Sequence, residues 1–193
     1  MEIESLDKLL EDSLKDIYSA ENQLLKALPK MAKAASNETL KEAFTSHLEE
    51  TQGQVERLDQ MAELLGIKLK GKKCKAMEGL LEEGKEALEA EGPEAILDSN
   101  LIAAAQRVEH YEIAAYGTAR AFAKQLGHEE VADLLQETLD EEKACDEKLT
   151  TISIDEILPQ ASSDAESEDE EDAAGDEDSE EAVATTSSRK SRR

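Results

Sequence analysis

Apolar residues recur three and four positions apart over long stretches, and the prolines fall only at 29, 93 and 159, so the chain has little choice but to form long helices packed on one another. From Leu6 the spacing runs through Leu10, Leu14, Ile17, Leu24, Leu28 and Met31, which predicts a first helix to about Ala35. The segment SNET at 36–39 ends it and offers an N-cap to a second helix, whose seam carries Leu40, Phe44, Leu48, Thr51, Val55, Leu58, Ala62 and Leu65. So short a loop forces the two helices antiparallel. Aromatic residues make up 3% of the chain and Trp is absent, a composition that suits helix-on-helix packing better than a sheet sandwich.

A basic, glycine-punctuated stretch, GIKLKGKK at 66–73, leads into a shorter helix over 76–91 that reads as a crossover. EGPE at 91–94 stops that helix and starts a third long one, with Pro93 near its first position. Gly127 closes this helix and a fourth follows through Val131, Leu135, Cys145, Leu149 and Ile152, making a second hairpin. The expected fold is therefore all-α: an antiparallel four-helix bundle with an extra short helix in the crossover, over residues 1–158. Residues 159–193 contain almost no large apolar side chains and read as a disordered acidic tail, because burial there cannot offset the entropy of ordering.

The formal charge is −25, and residues 160–193, with 12 acids against 4 bases, account for less than half of it. The bundle itself is thus strongly acidic, which argues against nucleic acid and anionic membranes as partners. An acidic surface of this kind also stays soluble in a salty, halophilic cytoplasm, where self-repulsion is screened. Two cysteines, Cys74 and Cys145, form no disulfide framework, and no secretory leader or membrane-spanning run is legible, so a cytoplasmic setting is expected.

Acids interrupt the apolar seams at telling places. Glu21 lies between Ile17 and Leu24, Glu112 between Val108 and Ala115, and Glu142 between Thr138 and Cys145, so each points inward where leucine would pack better. Residues equidistant from a hairpin loop share a height, which puts Glu50 near Glu21, Glu142 near Glu112 and Asp146 near Glu109. His47 falls about 50° from the middle of the second helix's seam and Glu50 about 100° away, making that helix the weak wall. Carboxylates with an occasional imidazole, projecting from facing helices, are what a carboxylate-bridged pair of metal ions requires. Tyr18, Tyr111 and Tyr116 near these layers read as packing residues, and His110 as a boundary residue. A shift of 91 positions lays Glu21 on Glu112, Glu38 on Glu129, Leu48 on Leu139, Glu50 on Glu141 and Leu58 on Leu149, so the two hairpins look related.

The runs DIYSAENQLLKALPKM, LKEAFTSHLEETQGQVERLDQM, CKAMEGLLEEG and LIAAAQRVEHYEIAAYGTARAFAKQLG, with TLDEEKACDEKLT, resemble the ferritin-like stress-protein family typified by YciF and YciE over about residues 4–152. The resemblance implies a ferritin-like fold, a homodimer and a di-iron site. Carried over, it puts Glu21, Glu50, Glu109, Glu112 and Glu142 at carboxylate positions and His47 at a histidine. The wider ferritin-like pattern has ExxH on the second and fourth helices, whereas here Glu50 is followed by Gly53 and Glu142 by Cys145. The expected metal set is Glu21, His47, Glu50, Glu109, Glu112, Glu142 and Asp146, holding iron or manganese, with peroxide removal or ferrous-iron oxidation as the chemistry if there is any. A metal-free dimeric bundle that acts as a protein-interaction or solvating module under stress is the competing expectation.

Overall fold

At the starts of the first two helices an orphan amide is met by a nearby side chain. Ser5 Oγ accepts from the Lys8 amide at 3.2 Å and opens helix α1, Leu6–Ala34. In the computed structural model, which describes residues 4–163, four further helices follow: α2, Glu38–Leu65; α3, Lys75–Glu89; α4, Glu94–Gln125; and α5, Glu129–Ile152. Asn37 Oδ1 accepts from the Leu40 amide at 2.9 Å to start α2, as the SNET segment predicts. Gly66 ends α2 at φ +65° and Gly127 turns the chain between α4 and α5 at φ +78°, left-handed positions that favour glycine.

The chain packs α1 against α2 and α4 against α5 as hairpins, with α1 also against α4, α2 against α5, and α3 against α1 and α4. Asp98 meets the loop after α1 while Tyr116 meets Glu21, so α1 and α4 run antiparallel and α2 and α4 run the same way. Two parallel helices need a long crossover, and α3 lies within it. Beyond α5 the chain continues helically through a wider π turn, Ser153–Ile157, to residue 163, and Ile157 and Ala161 are buried. That widening directly precedes Pro159, whose ring would meet the Asp155 carbonyl in a regular α-helix. Residues 164–193, most of the expected tail, lie outside the described residues. Among the described residues there is no strand, and no helix is long and apolar enough to cross a membrane.

The interior divides into two apolar halves. One contains Leu24, Leu28, Phe44, Leu101, Val108 and Leu149, and the other Leu14, Ile17, Leu58, Tyr116, Ala119 and Leu135. Between them, on all four long helices, lie the buried polar residues Glu21, His47, Thr51, Gln54, Glu109, Glu112 and Glu142. The amphipathic seams therefore fold the bundle from both sides of a polar layer. At one end the buried carboxylate of Asp98, 2% exposed, ties the helices together, accepting from the Ser36 amide at 2.9 Å and the Asn37 amide at 2.7 Å. Replacing Asp98 with Ala leaves both amides without their acceptor and is expected to cost about 2–4 kcal/mol in urea unfolding, with Asp98→Asn costing less.

Candidate metal centre

Glu109 and Glu112 on α4, Glu142 on α5 and His47 on α2 each bring a ligand atom to a point where all four atoms lie within 4.8 Å of one another. His47 Nε2 is 3.4 Å from Glu109 Oε1 and 4.0 Å from Glu142 Oε2. Glu21 on α1 is fully buried beside them and accepts a 2.5 Å hydrogen bond from the Tyr116 hydroxyl. Helical periodicity explains the convergence: Glu109, Glu112 and Tyr116 are spaced three and four apart on one face of α4.

The electrostatics of the layer are those of crowded like charges. Burial, then the charge of Glu142, pushes the Glu21 carboxyl up to about 8. Glu109 is likewise pushed up to about 8, first by burial. Burial together with the neighbouring carboxylates holds Glu112 and Glu142 well above the ordinary range. At His47 burial disfavours the charged ring, but the bond to Glu50 and the charges of Glu142 and Glu21 outweigh it and raise the imidazole.

Polar atoms in this layer lack partners. Six carboxylate oxygens, Glu21 Oε2, Glu109 Oε2, both of Glu112 and both of Glu142, are buried without a hydrogen bond, as is His47 Nε2. Four ionised glutamates carry a charge that two divalent cations balance, and hard oxygen donors with one imidazole are the donor set iron and manganese accept. The residues present fit such a pair.

Not every expected residue converges. Glu50 is 44% exposed in its side chain and sits at the rim, its Oε2 3.5 Å from His47 Nδ1, which leaves Nε2 facing the carboxylates. The buried position at that height is Thr51. Asp146 turns outward to His110 at 3.4 Å and Gln106 at 3.1 Å. A cleft of about 170 Å³ lined by Ser46, His47, Glu50, Glu141, Cys145 and Lys148 leads to His47 from the surface. Along it Arg57 clamps Glu141 through two hydrogen bonds of 2.9 and 2.7 Å.

Two residues of the site carry no signal in the apolar periodicity, though Cys145 stands where the wider ferritin-like pattern has histidine. Tyr116 reads as an aromatic packing residue, and only its place four after Glu112 hints at the layer. Cys145 reads as an apolar seam residue, yet its sulfur joins His47 and Glu109 in a second group of ligand atoms within 4.8 Å of one another. The 91-residue correspondence holds for Glu21 and Glu112, both in the layer. It breaks between α2 and α5: His47 corresponds to Thr138 and Glu142 to Thr51, so one helix gives the imidazole and the other the carboxylate.

The fold and its polar layer define a ferritin-like helical bundle. A family model described as a domain of unknown function, DUF892, matches residues 5–162, and the chain belongs to that family. It is 50% identical over 166 residues to protein YciF of Escherichia coli (strain K12), covering 86% of this chain and 100% of that protein. The crystal structure of the E. coli stress protein YciF is similar with a TM-score of 0.77 and 52% identity, over 79% of this chain and 96% of that one. YcfI of Rhodopseudomonas palustris is similar with a TM-score of 0.75 and 49% identity, over 78% and 96%. A ferritin-like, diiron-carboxylate protein of Bacillus anthracis str. Ames has the same fold, with a TM-score of 0.61 and 17% identity over 78% and 99%.

The raised carboxyls fix a pH dependence. Glu21 and Glu109 hold protons more tightly folded than unfolded, so the stability they allow is complete below about 4.5 and is lost as pH rises through about 8. His47, also raised, acts in the same direction. The chelator-stripped protein is expected to lose at least about 5 °C of melting temperature between about pH 5.5 and about pH 8.5. Glu21→Gln is expected to flatten that slope.

Proposed function

We propose that this chain is a stress-associated, ferritin-like protein of the cytoplasm that holds a carboxylate-bridged pair of iron or manganese ions in the middle of its bundle. The six unpartnered, buried carboxylate oxygens, closing with one imidazole nitrogen, carry the reading. Glu21, Glu109, Glu112, Glu142 and His47 are the proposed ligands. Glu50 acts at the rim, and Asp146 stands outside the set.

Each neighbour of the layer has a task in this reading. Tyr116 fixes one oxygen of Glu21 by its 2.5 Å bond and leaves the other free to bind. Glu50, held below the ordinary carboxylate range first by its bond to His47, keeps the imidazole oriented. The apolar halves exclude water on both sides, and the cleft past Glu50, Cys145 and Lys148 is the route for small solutes. When bound, the metal pair would supply redox chemistry that removes peroxide or oxidises ferrous iron. A homodimer accompanies the reading, and Ile154 and Leu158, four apart and 59% and 46% exposed, offer an apolar face for it.

Protein stripped of metal and reconstituted without oxygen is expected to bind about two ferrous ions per chain, with Glu112→Ala falling to about one or fewer. Elemental analysis checks both. Fewer than about 0.2 ions per chain, unchanged by Glu112→Ala, would sink the metal reading and leave the bundle as an interaction or solvating module.

A further inference from the structure

Cys145 stands three residues after Glu142, where the wider ferritin-like pattern has histidine, at the edge where the cleft meets the polar layer. Its Sγ, a ring nitrogen of His47 and a carboxylate oxygen of Glu109 all lie within 4.8 Å of one another. His47 is 3% exposed and Glu109 2%, and His47 Nε2 and Glu109 Oε2 have no hydrogen-bond partner. Three donor types, nitrogen, oxygen and sulfur, thus meet at one point on the α2, α4 and α5 walls. The remaining donors of the layer, on Glu21, Glu112 and Glu142, are oxygens alone.

We propose that Cys145 is a thiolate ligand which, with His47 and Glu109, makes one of the two positions a nitrogen–oxygen–sulfur site that accepts ferrous iron and prefers borderline-soft divalent ions of the zinc and cobalt class to manganese, next to an all-oxygen position suited to manganese or ferrous iron. The inference rests on reading the layer as a metal centre and makes its two positions chemically unequal. A thiolate selects against manganese, a hard ion at the weak end of the divalent series, and favours zinc and cobalt. Binding exchanges one bond for another: the S–H bond of Cys145 breaks, an S–metal bond forms, and the proton leaves through the cleft to water. No electron moves and no oxidant is required. The helix keeps its spacing while a softer donor stands where histidine would be.

Cobalt(II) is the probe. Chelator-stripped wild-type protein titrated with cobalt(II) is expected to gain visible d–d bands together with thiolate-to-cobalt charge-transfer absorption in the near ultraviolet. Cys145→Ser and Cys145→Ala are expected to keep d–d bands and lose the charge-transfer absorption. Zinc should erase that absorption in the wild type at concentrations at least about tenfold below those manganese needs. Cobalt d–d bands without charge transfer in the wild type, charge transfer that survives in either variant, or equal displacement by manganese overturns the proposal and leaves the carboxylate centre standing. No cobalt bound at all overturns both.

Discussion

Four buried glutamates closing on one another form a like-charge arrangement that an apolar bundle does not adopt for its own stability. Each burial raises the energy of the charged form, and each neighbour raises it again. Glu21, Glu109, Glu112 and Glu142 escape by holding protons at ordinary pH or by meeting cations, and their shifted carboxyls record that pressure. The two apolar halves on either side hold the layer together from outside it. Asp98, buried at the end of the bundle, does the opposite: two backbone amides meet its charge and it acts as a structural clasp. Whether a buried carboxylate has its own donors separates the clasp from the centre.

The long helices, both hairpins and the crossover were legible in the sequence because a seam repeated three and four apart over a whole helix permits one fold class. Seam interruptions also pointed to Glu21, Glu112 and Glu142, each of which lies in the buried layer. Counting from the hairpin loops gives height along a helix but not direction around it. One residue is 100° of rotation, and that step separates the exposed Glu50 from the buried Thr51. Asp146 shows the same limit, matching Glu109 in height while pointing to His110 and Gln106.

Cys145 and Tyr116 were hidden for another reason. A cysteine or tyrosine in a seam satisfies the apolar pattern as well as alanine or leucine does, so periodicity carries no signal of its polar end. The partners decide: Glu21 for the tyrosine hydroxyl, His47 and Glu109 for the sulfur. The related hairpins add a further lesson. Sequence correspondence pairs Glu21 with Glu112, but the imidazole and the carboxylate of the second helix in each hairpin occupy different turns, so symmetry of the fold does not extend to symmetry of the site.

Where metal sits separates a metal centre from a metal-free bundle. Anomalous diffraction at the iron edge, from crystals loaded with ferrous iron without oxygen, tests this most directly. Two iron peaks within the layer bounded by Glu21, His47, Glu109, Glu112 and Glu142 are predicted. A layer without anomalous density at saturating iron, or iron confined to surface acids, would contradict it.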